Sequence, residues 1–190
     1  NFFFISAGAR QGDIILSVNT LLMTLFTLFS YVMDGFAYAG EALTGKYFGA
    51  NNKIGFDKVY RSLFAWGAIM ALTFTLVYAL GGHRFLLLLT NERDVVAAAH
   101  DYFWWAVFIP IVGVSAFIYD GIFIGLTETK GMLVSSVISA IAFFVFFISL
   151  KQLWGNHALW LAFLVYLALR GFIQWILYRN VIPWSKISSK

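Results

Sequence analysis

One polar face on an otherwise apolar helix most constrains what this chain can fold into. Residues 13–50 begin with about twenty residues that are apolar enough to cross a bilayer, which needs roughly 20 residues at ~1.5 Å each. Hydroxyls and carboxylates are costly to leave unpaired in hydrocarbon, so a polar face here must turn toward neighbouring helices or a wet cavity. Its members, named the polar stripe below, recur at alternating steps of four and three residues: Asp13, Ser17, Thr20, Thr24, Thr27, Tyr31, Asp34, Tyr38 and Glu41.

The composition indicates an integral membrane protein. Only 12% of the 190 residues are charged, against about 25% in soluble domains, and the mean hydropathy is +0.82. The basic residues that give the net charge of +4 are scattered near helix ends, which argues against a nucleic-acid partner. The sequence has no cysteine, no phosphate-binding loop and no Ser-His-Asp or metalloprotease motif, so it predicts no catalytic residues and no enzyme.

Hydropathy and turn signals predict five full membrane spans, preceded by the end of a sixth helix. The segments are 1–9 (partial), 14–45, 59–81, 102–125, 132–150 and 157–178. Residues 83–100 are too polar to cross and suggest a short interfacial helix, then a new helix capped by Thr90 or Asn91. Pro110 and Gly113 predict a kink in the third full span, either a hinge or a static bend.

The distribution of basic residues predicts the orientation of these spans. Eight Lys or Arg residues fall on the side that includes the C-terminus and four on the other, which favours a cytoplasmic C-terminus. Residues 1–9 read as the tail of a helix already under way, so we expect this chain to be the C-terminal piece of a longer protein. Six-helix units that come in pairs are typical of transporters.

Ionisable residues inside the spans are the main candidates for function. Asp34, Asp120 and Arg170 are expected at similar depth, in the cytoplasmic half of the membrane. They form either a proton- or ion-responsive site along a transport path or a structural ion pair, for instance Asp120 with Arg170. Glu41 is expected to reach the interface or to pair with Lys46. The histidines show no metal-binding spacing, so no metal site is predicted.

Two motifs resemble those of the multidrug and toxic compound extrusion (MATE) family. The run Glu41-Ala42-Leu43-Thr44-Gly45, followed by Phe48-Gly49-Ala50, resembles the small-residue pattern that ends the second helix of each six-helix lobe. The segment 120–132, DGIFIGLTETKGM, is similar to the turn after the fourth helix of a lobe, in the form typical of the DinF-like branch. The resemblance implies the C-terminal lobe, residues 1–190, of a twelve-helix antiporter that exports cationic or amphiphilic compounds against Na⁺ or H⁺.

The resemblance also implies where the coupling ion binds. The best-supported coupling carboxylate of the DinF-like branch lies in the N-terminal lobe, which these residues do not include. The other bacterial branch uses an acidic residue at the position that falls at about Gly113 here, and glycine offers no side-chain ligand. We therefore expect Na⁺ or H⁺ to bind mainly in the N-terminal lobe, with no other cofactor and no coupling role for Asp120.

The sequence thus predicts an all-α membrane protein, a polytopic helical bundle that resembles one lobe of a twelve-helix transporter in a bacterial inner membrane. Expected partners are membrane lipid, a small-molecule drug or metabolite, and the N-terminal lobe. Candidate residues of the transport path are Thr20, Thr24, Thr27, Tyr31 and Asp34, with Gly113 and Phe117 opposite. Two alternatives stay open: a lipid-linked oligosaccharide flippase, for which only Arg170 and Arg61 could bind a pyrophosphate, and a non-transporting scaffold or half-transporter that acts by pairing.

Overall fold

The chain folds into a bundle of α-helices. The computed structural model describes Phe4 and residues 11–181, except for the side chains of His83 and Val181. All regular structure within these residues is helical, which confirms the predicted all-α class. The helices are α1 (Asp13–Gly49), α2 (Lys53–Leu89), α3 (Arg93–Ala99), α4 (Phe103–Gly125), α5 (Thr129–Trp154) and α6 (Asn156–Val181).

Five of these helices are long and apolar enough to cross a membrane: α1, α2 as far as Gly82, α4, α5 and α6. This confirms the expectation of five full spans. Several helices run past the predicted limits, because a helix continues into the interface after its apolar stretch ends. The partial helix predicted at 1–9 lies outside the described residues except for Phe4, whose ring meets Trp160 of α6 edge-on at 4.8 Å.

The connection between α2 and α4 differs from the prediction. α2 is kinked at Gly82, where a positive φ of 41° suits glycine, and it then resumes as helix to Leu89. Thr90 is the C-terminal cap of α2, because its backbone N–H bonds the carbonyl of Leu86. The next helix begins only at Arg93, after Glu92. The predicted helix cap at Thr90 or Asn91 is therefore wrong, although Thr90 Oγ1 does accept the Glu92 N–H at 3.3 Å.

α4 is the central helix of the bundle. It packs against α1, α2 and α6, and the side chains along most of its length are buried. Pro110 lies within it, and the Thr75 hydroxyl of α2 donates a hydrogen bond to the nearby Val107 carbonyl at 3.2 Å. α5 packs mainly on α6 and leaves a long aliphatic surface exposed, as a lipid-facing helix would.

Glycines bring α1 and α4 into close backbone contact. A Cβ atom on Gly125 would lie 2.6 Å from the carbonyl oxygen of Glu41 and 3.0 Å from the nitrogen of Gly45. A Cβ atom on Gly121 would overlap the carbonyl oxygen of Ala37. Small residues that allow such an approach are a common basis of helix packing in membranes. This contact holds the ends of the two motif-bearing segments together.

Candidate functional site

The polar stripe lies on the outside of the bundle. Within α1, apolar residues such as Leu22, Phe29 and Met33 are fully buried against the other helices. The stripe follows the opposite side: Asp13, Ser17, Thr20, Thr24, Tyr31 and Tyr38 are exposed, and Thr27, Asp34 and Glu41 are half-buried. Tyr31 is 71% exposed. No described helix covers the stripe, so it faces a surface that the described part of the chain leaves open.

The threonine hydroxyls of the stripe bond to their own helix. Thr20, Thr24 and Thr27 each donate to the carbonyl four residues earlier, at 2.9, 3.0 and 2.9 Å. This bonding removes the cost of an unpaired hydroxyl donor in an apolar setting, while each oxygen keeps lone pairs that can accept. The face can therefore accept hydrogen bonds from a solute without needing one for its own stability.

Asp34 is the acidic residue of the stripe that lies deepest in α1. It is half-buried, and among the described residues no cation lies within ion-pair distance of it. An unpaired carboxylate on an exposed helix face inside a membrane is available to a cation or a proton.

Asp120 has two partners on α6. Arg170 Nη2 lies 2.6 Å from Asp120 Oδ2, and Gln174 Nε2 donates to Asp120 Oδ1 at 2.7 Å. Gln174 is fully buried, and neither its Oε1 nor the Arg170 Nε has a hydrogen-bond partner among the described residues. The structure thus brings Asp120 and Arg170 together as an ion pair that ties α4 to α6. The expected pair of Glu41 with Lys46 is absent, since Asp120–Arg170 is the one salt bridge among the described residues.

Gly113 does not share the exposed surface of the stripe. It is buried, and a Cβ atom there would contact Leu167 at 3.5 Å and Phe29 at 3.9 Å. The expectation that Gly113 lines the path is therefore corrected: it lies where α4 packs between α1 and α6. Phe117 is half-buried, with its ring edge-on to Phe29 at 5.8 Å and tilted against Phe26 at 6.4 Å. For Phe117 a place along the path stays a prediction.

The structure adds a groove at the start of the stripe that sequence reasoning missed. It holds about 530 Å³, and it runs between α1 and the segment that joins α2 to α3. Its lining is Leu16, Ser17, Thr20, Leu21, Thr24, Leu89, Thr90, Glu92 and Val95. The exposed Glu92 carboxylate therefore lies beside three stripe hydroxyls. No periodic pattern marks Glu92, because its position depends on how α2 ends.

Two polar networks join helices inside the bundle. Asn19 and Asn156 exchange hydrogen bonds of 2.8 Å, and Trp160 Nε1 donates to Asn19 at 2.9 Å, which joins α1 to α6. The hydroxyls of Tyr60 and Tyr119 lie 2.8 Å apart, joining α2 to α4. Both networks lie inside the bundle and hold it together. Among Phe4 and residues 11–181, no three His, Asp or Glu residues are grouped to hold a metal ion.

A bundle of five membrane-length helices with one exposed polar face defines a multi-pass helical membrane protein. The sequence profile of the MatE family matches residues 1–148, more than half of the chain. The chain therefore belongs to the MatE family, the multidrug and toxic compound extrusion proteins, whose members are transporters and not enzymes.

Two curated relatives agree with this assignment. The chain is 43% identical to DNA damage-inducible protein F of Escherichia coli K12 over 164 residues, which cover 86% of this chain and 36% of that protein. It is 20% identical to Protein DETOXIFICATION 42 of Arabidopsis thaliana over 185 residues, or 97% of this chain and 36% of that protein. The first similarity confirms the DinF-like resemblance. The chain spans about a third of the length of these relatives.

Proposed function

We propose that this chain is the C-terminal lobe of a transporter that exports cationic or amphiphilic small molecules in exchange for Na⁺ or H⁺. The observation that carries this proposal is the exposed polar stripe on α1, a helix whose opposite face is packed into the bundle. The half of α1 nearer its C-terminal end carries two carboxylates and two tyrosines on this face. These polar groups would not stabilise a helix that met only lipid on this side. A polar path between this lobe and a second lobe accounts for them.

The two halves of the stripe suit a cationic solute in different ways. Near the start of α1, Glu92 and the stripe hydroxyls of the 530 Å³ groove supply a negative charge and hydrogen-bond acceptors. Further along, Tyr31 and Tyr38 are exposed on either side of Asp34, and aromatic rings attract a cation by cation–π contact. Both regions lie on the same helix face, so a solute can pass from one to the other.

The coupling ion is proposed to bind mainly in the N-terminal lobe. In this lobe Asp120 is already held by Arg170 and Gln174, and Asp34 and Glu41 of α1 have no salt bridge within the described part of the chain. The basic residues near the shared end of α1 and α2 include Lys46, Lys53 and Lys58. They support a cytoplasmic C-terminus in a bacterial inner membrane.

No observation favours a lipid-linked oligosaccharide flippase. Such a protein needs free cations along its cavity to hold a pyrophosphate. The Arg170 guanidinium is paired with Asp120, and Arg61 lies on α2, away from the polar stripe. A non-transporting scaffold is also disfavoured, because the stripe makes one of the exposed surfaces polar rather than uniformly apolar.

The proposal is tested by neutralising Asp34 in the full-length protein. Asp34→Asn keeps the shape of the side chain but removes its charge. Efflux of a fluorescent organic cation from cells should fall by roughly tenfold, the change that about 1.4 kcal/mol of lost interaction produces. Abundance in the membrane should stay unchanged, because no described residue depends on Asp34 for an ion pair.

Asp101→Asn is the matched control, since Asp101 is exposed in the turn before α4 and outside the stripe. This variant should transport at the normal rate. Normal efflux by Asp34→Asn at equal abundance would show that Asp34 is not part of the path. Efflux would then not need the central charge of the stripe, which would contradict the proposed cation route.

A further inference from the structure

A second groove lies between α1 and α2, at the end where these two helices are joined. It holds about 410 Å³, within the roughly 300–1,000 Å³ range of small-ligand sites. Its lining is largely apolar: Phe36, Ala39, Leu43, Tyr47, Gly55, Lys58, Val59, Ser62, Leu63 and Trp66. From Phe36 to Tyr47 the groove follows α1 for roughly 16 Å at 1.5 Å per residue. This length is comparable with half of the roughly 30 Å hydrocarbon layer.

Two cations stand at the mouth of this groove. Lys58 lines it directly, and Lys58 and Ser62 also line an adjoining surface hollow that includes Arg61. Both basic side chains are exposed. Asp57 lines the hollow as well and is half-buried. Two exposed cations beside one half-buried carboxylate leave this end of the groove with a net positive charge.

The groove opens away from the proposed transport path. On α1 the groove residues and the inner half of the polar stripe are separated by roughly 160° at 100° per residue. On α2 the groove continues into an exposed aliphatic surface that includes Ile69, Leu72, Leu76 and Leu80. Such a surface within a membrane-length helix faces acyl chains, so the groove is open to the bilayer.

We propose that this groove is a binding site for an anionic phospholipid, with an acyl chain along the slot and the phosphate held by Lys58 and Arg61. The parts match the ligand in order: an apolar slot of about one leaflet's depth, an exposed Trp66 in its lining, and Lys58 at its end with Arg61 in the adjoining hollow. Basic pockets between membrane helices recognise anionic head groups by the same chemistry. The site is separate from the proposed solute route and does not depend on it.

The test is native mass spectrometry of the purified full-length protein, reconstituted in equal parts of dioleoyl phosphatidylglycerol and dioleoyl phosphatidylcholine. We expect one phosphatidylglycerol to stay bound in preference to phosphatidylcholine. Lys58→Gln/Arg61→Gln should lower this preference by roughly fivefold or more, given the attraction of each basic residue for anionic lipid. Lys130→Gln/Arg179→Gln removes the same charge from exposed positions outside the groove and should change it little.

A second variant pair tests the slot without altering charge. Ala39→Phe fills the groove and should reduce retained phosphatidylglycerol, whereas Ala68→Phe, at an exposed position of α2 outside the groove, should not. Equal retention of both lipids by the unmodified protein would overturn the proposal. So would equal losses from both charge pairs, which would indicate general surface attraction. Full retention by Ala39→Phe would also overturn it, since the chain would not occupy the slot.

Discussion

Asp120 is the carboxylate whose hydrogen-bond and ion-pair partners the fold positions most clearly. Its side chain is 18% exposed, and its two oxygens face Arg170 and Gln174, both from α6. Taking two charges out of water is costly, and their attraction repays that cost only when the hydrogen bonds are well formed. Removing one partner leaves the other charge uncompensated. Asp120 and Arg170 therefore act as a structural unit, and each depends on the other.

A double-mutant cycle measures this dependence. Asp120→Asn should destabilise the protein by about 3–5 kcal/mol, the cost of leaving a buried charge unpaired, and lower its melting temperature in detergent. Arg170→Met should be similarly harmful alone. In the Asp120→Asn/Arg170→Met variant the loss should be well below the sum of the two. Strictly additive losses would mean that the two side chains do not stabilise each other, contrary to the contact at 2.6 Å.

Asp120 and Arg170 were predicted to lie at the same depth in the membrane, because this depth can be estimated by counting residues from the helix ends. The sequence could not supply Gln174 as a partner, since that depends on the rotation of α6 against α4. The rotation follows from packing: a Cβ atom on Gly171 would overlap Ser115, so the two helices touch there. Gly113 was misplaced for the same reason, because helical periodicity does not say which neighbour covers a given face.

Among the helices, α1 and α4 form the closest contact. Gly40 and Gly45 on α1 face Gly121 and Gly125 on α4, and Thr44 Oγ1 donates to the Gly40 carbonyl at 2.6 Å. The two sequence motifs thus meet in space. Gly45, Gly121 and Gly125 are required by backbone proximity, which accounts for these motif positions without assigning them contact with a solute.

Substituting Gly125 tests this account. Gly125→Leu should force α1 and α4 apart and sharply reduce the amount of folded protein, because Glu41 and Gly45 leave no room for a side chain. Gly49→Ala is the control within the other motif, since a Cβ there meets no atom within 4 Å. The measurement is the monodisperse fraction after detergent extraction. Normal recovery of Gly125→Leu would show that the contact is not needed.

The helices themselves were largely predictable, and their interruptions were not. Long apolar stretches determine five membrane-length helices whatever their neighbours, which is why their number was predicted correctly. The second span was predicted to end at residue 81, but the positive φ of Gly82 only kinks the helix, and the residues FLLLL continue it to Leu89. This continuation sets the position of Glu92 beside α1, and hence the groove that the sequence did not indicate.

At the scale of the whole molecule, the bundle has two different exteriors. One is the polar stripe of α1, with exposed tyrosines and half-buried acids. The other is aliphatic and covers the outer surfaces of α2 and α5. The sequence required the stripe to face either other helices or a wet cavity. Within the described residues no helix covers it, which favours a water-filled path shared with a second lobe.

Measuring whether water reaches the stripe tests the proposed water-filled path most directly. The chain contains no cysteine, so a cysteine introduced into it is the sole one among these residues. In a full-length protein freed of any other cysteine, Thr24→Cys and Tyr31→Cys should react with a small charged thiol reagent, because a thiolate forms where water reaches it. Leu76→Cys, on the aliphatic surface of α2, should not react. If Thr24→Cys and Tyr31→Cys were as unreactive as Leu76→Cys, the stripe would not line an aqueous path, and the proposed route would be wrong.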